Sequence, residues 1–283
     1  MAFFIERREI AKLTKIHKWH LSMKQGKRNG WEHAQAPSLA LSAPSWRMEN
    51  SVSAVEVRGV FIGKAERIGV GLSGATGKQQ VSHRVWLWSQ GLGGDEQGDL
   101  RFHGGADGAL HHYPAEHYRD WSRDYPSVGW AAPGFGENLS TCGLTEQDVC
   151  IGDRFRWGDA VLEVSQPRSP CYRLGYRWGD MHLAQHAQDS GRCGWYYRVL
   201  TPGFVGPDSA FERLTRDSAR LSVARVIHNF FHCPLDRAGL HQLVVCDRLS
   251  TTWREQAARR LATGTLESWA PRLLGLAPEG LRA

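Results

Sequence analysis

From Val55 onward the chain places apolar residues in short alternating runs. Val55, Val57 and Phe61 with Val60 and Ile62 form one, Val81 to Trp88 another, each bounded by glycine or serine. Runs of that length and period predict β-strands. The clearest hairpin covers Val149–Val164: Ile151, Phe155 and Trp157 share one parity, Gly158-Asp159 supplies the turn, and Leu162 and Val164 follow on the return strand. Two short helices are expected among the strands, Pro114–Arg123 with Tyr118 and Trp121 on one face, and Met181–Asp189. After about Arg216 the period becomes helical. Leu221–Phe231 puts Ala224, Ile227 and Phe231 on one stripe, Ala238–Leu249 repeats the style, and Trp253, Ala257 and Leu261 sit four apart behind a Thr252-x-x-Glu255 capping box.

This change of period implies a mainly β domain over 54–215 followed by a three-helix unit over 216–270. Residues 1–48 stand apart. They hold five of the seven lysines, and nine of the 35 basic residues against three of the 29 acidic ones, which leaves 26 of each sign for positions 49–283. The formal charge of +6 therefore resides in this segment, and a basic nucleic-acid-binding face on the main body is not expected. The segment reads either as a disordered basic extension or as a mis-assigned start with Met48 the true first residue. Lys and His interrupt every stretch that could serve as the apolar core of a secretory signal, and an organellar presequence is only weakly matched.

No apolar run approaches the roughly 20 residues that span a bilayer. The six cysteines contain no C-x-x-C pair, so a reduced, cytoplasmic protein is expected. Several motif fragments fail on inspection. Gly69-Val70-Gly71-Leu72-Ser73-Gly74 fits G-x-G-x-x-G, but no helical stripe follows to receive a pyrophosphate. Gly77-Lys78 resembles the end of a phosphate loop, with Leu72 where glycine is required and Gln79 where a hydroxyl is. His182 and His186 have helical spacing without the glutamate of a metalloprotease. His103, His111, His112 and His117 are dense enough to raise a metal question, although core or surface histidines explain most such groups.

Gln166-Pro167-Arg168-Ser169-Pro170-Cys171-Tyr172-Arg173-Leu174 is the most pointed segment. Its prolines impose a stiff extended loop, and Arg168 and Arg173 favour a thiolate at Cys171, although a buried structural cysteine fits the local pattern as well. Three further segments are composed like site loops. Phe102 to Leu110 carries His103-Gly104-Gly105, whose glycines allow close backbone approach to a ligand; Gly134 to Ser140 carries Glu137 and Asn138; Asp95-Glu96-Gln97 closes a glycine-rich stretch.

Taken in order, Gly94-Asp95-Glu96-Gln97, His103-Gly104-Gly105 with Leu110 and His112-Tyr113-Pro114, Phe135 to Ser140, Ile151-Gly152-Asp153 and Val164 to Tyr172 closely resemble a MOSC domain, the domain found at the C-terminus of molybdenum-cofactor sulfurases. The match runs over about Val57 to Leu266 and is nearest the bacterial YiiM type, a subfamily associated with resistance to N-hydroxylated purines and carrying a three-helix C-terminal unit. The resemblance implies a β-barrel-like domain with short helices that binds the molybdenum cofactor. By motif position, Cys171 would be the catalytic residue and the molybdenum ligand, Arg168 and Ser169 would meet the cofactor phosphate, and His103, Gly104, Gly105 and Asn138 would cradle the pterin.

The activity so implied is two-electron reduction of an N–OH group to N–H on 6-N-hydroxylaminopurine or a related purine or amine, a detoxification role. It requires an electron donor that the sequence does not identify, and His103, Glu137 and His112 are candidates for proton relay. A homodimer is compatible with the chain. The alternatives are a cofactor-sulfur carrier working through a Cys171 persulfide, a non-catalytic cofactor-binding module, and a non-catalyst whose basic tail binds nucleic acid or anionic lipid by charge.

Overall fold

The computed structural model describes residues 55–275 apart from 70–71, 75–76 and 97–104. A curled mixed sheet of eight strands forms its centre. From one edge to the other it runs β13 (Phe211–Thr215), β9 (Arg154–Trp157), β10 (Ala160–Pro167), β11 (Trp195–Thr201), β7 (Leu110–Pro114), β8 (Leu139–Cys142), β1 (Glu56–Ile62) and β4 (Gln79–Gln80). Among the described residues only β7 and β8 pair in parallel, with His112 opposite Leu139. A second sheet joins β12 (Gly203–Val205), β5 (Val85–Trp88) and β6 (Gly91–Leu92), and β2 (Glu66–Gly69) pairs with β3 (Leu72–Gly74).

The expected hairpin is β9–β10. Trp157 faces Ala160 across a two-residue turn whose Gly158 has φ +55, a conformation that a side chain would strain. β10 is buried along most of its length because it lies between β9 and β11, and its Leu162 and Val164 join Phe155, Trp157, Trp195 and Tyr197 in the main apolar core. The strand between Val81 and Trp88 is interrupted, so that only Gln79–Gln80 and Val85–Trp88 pair. β2 and β3 form an antiparallel pair, and among the described residues no helix lies between β3 and β4, where a dinucleotide-binding turn would place one.

Helix α1 (His117–Asp124) buries Tyr118 and Trp121, as their spacing required, but it begins later than expected because Pro114 completes β7. α2 (Arg173–Trp178) and α3 (Leu183–Ser190) pack with it around a second apolar cluster that includes Tyr113, Trp130, Phe135 and Leu174. The C-terminal unit comprises α4 (Val223–Ile227) continuing into a wider π turn over His228–His232, α5 (Arg237–Val245) and α6 (Thr251–Thr263). The Thr252-x-x-Glu255 box does not cap α6. The helix starts two residues earlier, with Ser250 in the capping position and its buried hydroxyl without a hydrogen-bond partner. A further short helix, α7 (Ala270–Leu274), was not marked by any apolar period. Among the described residues, no helix is long and apolar enough to cross a membrane.

Candidate active site

The loop carrying Cys171 leaves the sheet at the end of β10. The β10–β11 register shifts between Val164 and Gln166, and a bulge there redirects the strand just before the loop begins. Ser165 at the bulge donates to the carbonyls of Asp107 and Tyr196, which ties the start of the loop to the 105–108 turn. Pro167 still faces Trp195, after which the Arg168 N–H donates to the Gly194 carbonyl at 3.0 Å. Cys171 then sits immediately ahead of α2, its carbonyl accepting from the Leu174 N–H, and is 5% exposed. None of the six cysteines is in a disulfide.

Around this loop the fold gathers charge that it has taken out of water. Arg168 is 6% exposed and interacts with the Tyr196 hydroxyl, while its Nη1 is buried with no hydrogen-bond partner. The His111 ring is equally buried and its Nε2 is likewise unpartnered. Burial holds the His111 ring well below its ordinary pKa, and the nearby Arg168 and Lys78 cations reinforce this, against the Gly136 and Cys193 backbone groups that favour its charged form. Lys78 is buried too, and desolvation lowers its pKa, yet its Nζ is 2.6 Å from Asp95 Oδ2. Asp95 also accepts from Asn138 Nδ2 at 2.8 Å and from the Gly63 N–H at 2.9 Å. Asn138 in turn accepts from the His111 N–H through Oδ1, so Lys78, Asp95, Asn138 and His111 form one buried polar chain.

Glu137 lies next to this chain and is fully buried. Burial pushes its pKa up to about 7, although hydrogen bonds from the Tyr118 hydroxyl and the Phe135 N–H, and the Arg168 cation, act in the opposite direction. The carboxyl group also interacts electrostatically with Lys78 and with Arg177 of α2. Trp178 of the same helix donates to the Gly134 carbonyl at 2.9 Å, which fastens α2 to the Gly134–Asn138 loop.

Of the residues expected at a cofactor, Cys171, Arg168 and Asn138 converge here, and Ser169 is partly buried between the first two. Gly105 opens the Ala106–Gly108 turn with φ +75, which only glycine adopts without strain. His103 and Gly104 lie outside the described residues. His112, a candidate for proton relay, has its two ring nitrogens hydrogen-bonded to the Tyr197 and Thr141 hydroxyls, and burial lowers its pKa to about 3. No group of three or more potential metal-ligating His, Cys, Asp or Glu side chains occurs among the described residues, which include His111, His112 and His117 but not His103. Arg173 lies over the Tyr172 ring at 5.3 Å.

Sequence reading missed Lys78, His111, Tyr196 and Arg272. Lys78 was visible only as part of a failed phosphate loop, and His111 as one of several histidines. Arg272 of α7 interacts electrostatically with Cys171 and Cys193, and nothing in its local sequence pointed there.

Two family models match the chain: the MOSC domain over residues 99–212 and the YiiM-like 3-alpha helix domain over 221–264. Protein YiiM of Escherichia coli (strain K12) is 42% identical over 218 residues, which are 76% of this chain and 97% of that protein. The chain belongs to the MOSC family, YiiM type. The solved structure of YiiM from Escherichia coli superposes on this MOSC chain with TM-score 0.67 at 38% identity, covering 78% of this chain and 98% of that one. The YiiM structure from Geobacillus stearothermophilus gives TM-score 0.64 at 33% identity, covering 73% and 99%. A Gibberella moniliformis protein named Reductase is 35% identical over 166 residues, 58% of this chain and 29% of that protein.

Proposed function

We propose that this MOSC protein reduces N-hydroxylated compounds such as 6-N-hydroxylaminopurine to the corresponding amine, with the molybdenum cofactor bound at the Cys171 loop. One observation carries the reading: the buried Cys171 shares its surroundings with the buried Arg168 and His111, and Arg168 Nη1 and His111 Nε2 have no hydrogen-bond partner. Buried polar atoms are normally satisfied, so an orphaned Arg168 Nη1 is a donor held for an anionic ligand. A phosphate-bearing pterin that presents sulfur to its metal fits a site combining cationic donors with a thiol.

When bound, the molybdenum cofactor would supply the two-electron reducing chemistry. The protein's residues do the rest. Cys171 would hold the metal, on a loop that prolines stiffen and the Arg168 N–H fixes to Gly194. Arg168, with Ser169, would take the phosphate; Asn138, with His103, Gly104 and Gly105, would face the pterin. Conversion of R–NHOH to R–NH2 and water consumes two electrons and two protons. Glu137 is the group suited to hold one of those protons near neutrality, because burial keeps its acid form populated. Tyr118 orients the carboxyl group through its hydroxyl. A persulfide carrier must offer its sulfur to a second protein, and 5% exposure at Cys171 favours a ligand over a carrier.

The test is metal and pterin analysis together with hydroxylaminopurine reduction, wild type against Cys171→Ala. Reduction at the wild-type rate by a fully metal-loaded alanine variant would overturn the assignment.

A further inference from the structure

We infer that Arg272 is a positioning residue for the Cys171 loop: the helix that follows the three-helix unit closes over the loop and holds it from both sides of the cysteine. The inference rests on the function proposed above, in which Cys171 holds the metal.

The two flanking prolines leave the loop short of backbone partners. Pro167 and Pro170 have no N–H, so the segment cannot extend the sheet ladder, and the polar groups around Cys171 must be satisfied from elsewhere. Arg272 meets that need twice. Its backbone carbonyl accepts from the Tyr172 N–H at 2.9 Å, and its Nη1 donates to the Pro170 carbonyl. These are the residues immediately before and after the cysteine. The other arm of the guanidinium, Nη2, donates to Gln188 Oε1 on α3, and Gln188 is 1% exposed. A planar fork can serve two acceptors in different directions in this way, and a lysine ammonium cannot reproduce it.

Packing connects this residue to the helical unit. The Arg272 guanidinium lies 5.2 Å from the Phe231 ring centroid, and Phe231 in turn packs edge-on against Trp253 of α6 and Trp269 just ahead of α7. Gly275, with φ +70, sits so close to Tyr172 that a Cβ there would be 3.0 Å from the ring. Residues 269–275 thus wrap the Cys171–Tyr172 turn, and they lie beyond the 221–264 match to the YiiM-like helical domain. The segment that follows the three-helix unit therefore holds this chain's cysteine loop in place.

The experiment compares full-length wild type, Arg272→Met and Arg272→Lys, first without cofactor. Cys171 alkylation by iodoacetamide at one fixed pH and amide exchange at Tyr172 report how firmly the loop is held; thermal melting reports the fold. Loss of one charge-assisted hydrogen bond corresponds to about a tenfold change. Arg272→Met is expected to label and exchange about tenfold faster without losing its cooperative melt, with Arg272→Lys in between. In loaded protein, Arg272→Met is expected to shift the Mo(V) electron paramagnetic resonance signal and lower kcat with KM unchanged. Wild-type labelling and exchange in Arg272→Met overturn the inference. If that variant does not fold, Arg272→Lys decides alone: faster labelling supports positioning, and an unchanged rate refutes it. Should wild type bind no molybdenum cofactor, the proposed function fails while the labelling arm still decides the role of Arg272.

Discussion

Lys78 and Asp95 form an ion pair of 2.6 Å in which the side chains are 5% and 6% exposed. Removing one member leaves an uncompensated charge in the interior, which costs far more than losing a surface pair. Lys78→Met is therefore expected to destabilise the protein by about 3–5 kcal/mol, measured by denaturant unfolding. A loss below about 1 kcal/mol would mean that water reaches the pair.

Arg168 has a buried Nη1 without a hydrogen-bond partner beside the Cys171 loop. If that atom awaits the cofactor phosphate, Arg168→Met lowers molybdopterin affinity by roughly 1.5–3 kcal/mol, at least about tenfold, while Arg168→Lys loses less. Titration of purified apoprotein with cofactor distinguishes the two. Equal affinity in wild type and Arg168→Met rules out the phosphate role.

Glu137 has a folded pKa of about 7 against an ordinary value of 4.5. Its protonated form is favoured by folding, so its contribution to stability is complete below pH 4.5 and is lost as pH rises through 7. Relative to Glu137→Gln, wild type is expected to lose about 3 kcal/mol between those limits. Chemical denaturation at a series of pH values reads the difference, and parallel curves would show that the carboxyl group is solvated.

His112 acts with the opposite sign. Its pKa falls from 6.5 to about 3 because burial between Tyr197 and Thr141 excludes the charged ring. The associated stability is present above pH 6.5 and disappears as pH falls toward 3, by about 4–5 kcal/mol in full. His112→Gln should be less stable at pH 8 yet show a shallower decline in acid.

Gly194 has φ +70, and a Cβ there would lie 2.3 Å from the His112 carbonyl. Its own carbonyl receives the Arg168 N–H, so strain at this position is transmitted to the cysteine loop. Gly194→Ala is expected to cost about 3 kcal/mol or more and to accelerate Cys171 alkylation. Thermal melting and labelling of the same sample test both statements.

Much of the fold was legible because its causes are local. The β9–β10 hairpin follows from one parity of apolar residues and a glycine at the turn, and the burial of Tyr118 and Trp121 follows from their spacing on one helix. Helix ends were less legible: Ser250 replaced the expected Thr252 cap, because the Ser250 N–H is committed to the Ser165 carbonyl across the molecule. The stiff, extended setting of Cys171 was legible in its flanking prolines, whereas the expectation that it is a metal ligand came only from the resemblance.

The sequence by itself determined the β-then-helix order and the stiff cysteine loop, since hydrophobic period and proline geometry act over neighbouring residues. Only the tertiary structure decided what surrounds that loop. Lys78, His111 and Glu137 become a buried group of titratable side chains with shifted pKa values because separate strands and loops exclude water from all three at once, and desolvation has no signature in local sequence. Arg272 reaches Pro170 across 102 positions of chain, a pairing set by how the helices pack and not by anything written next to either residue.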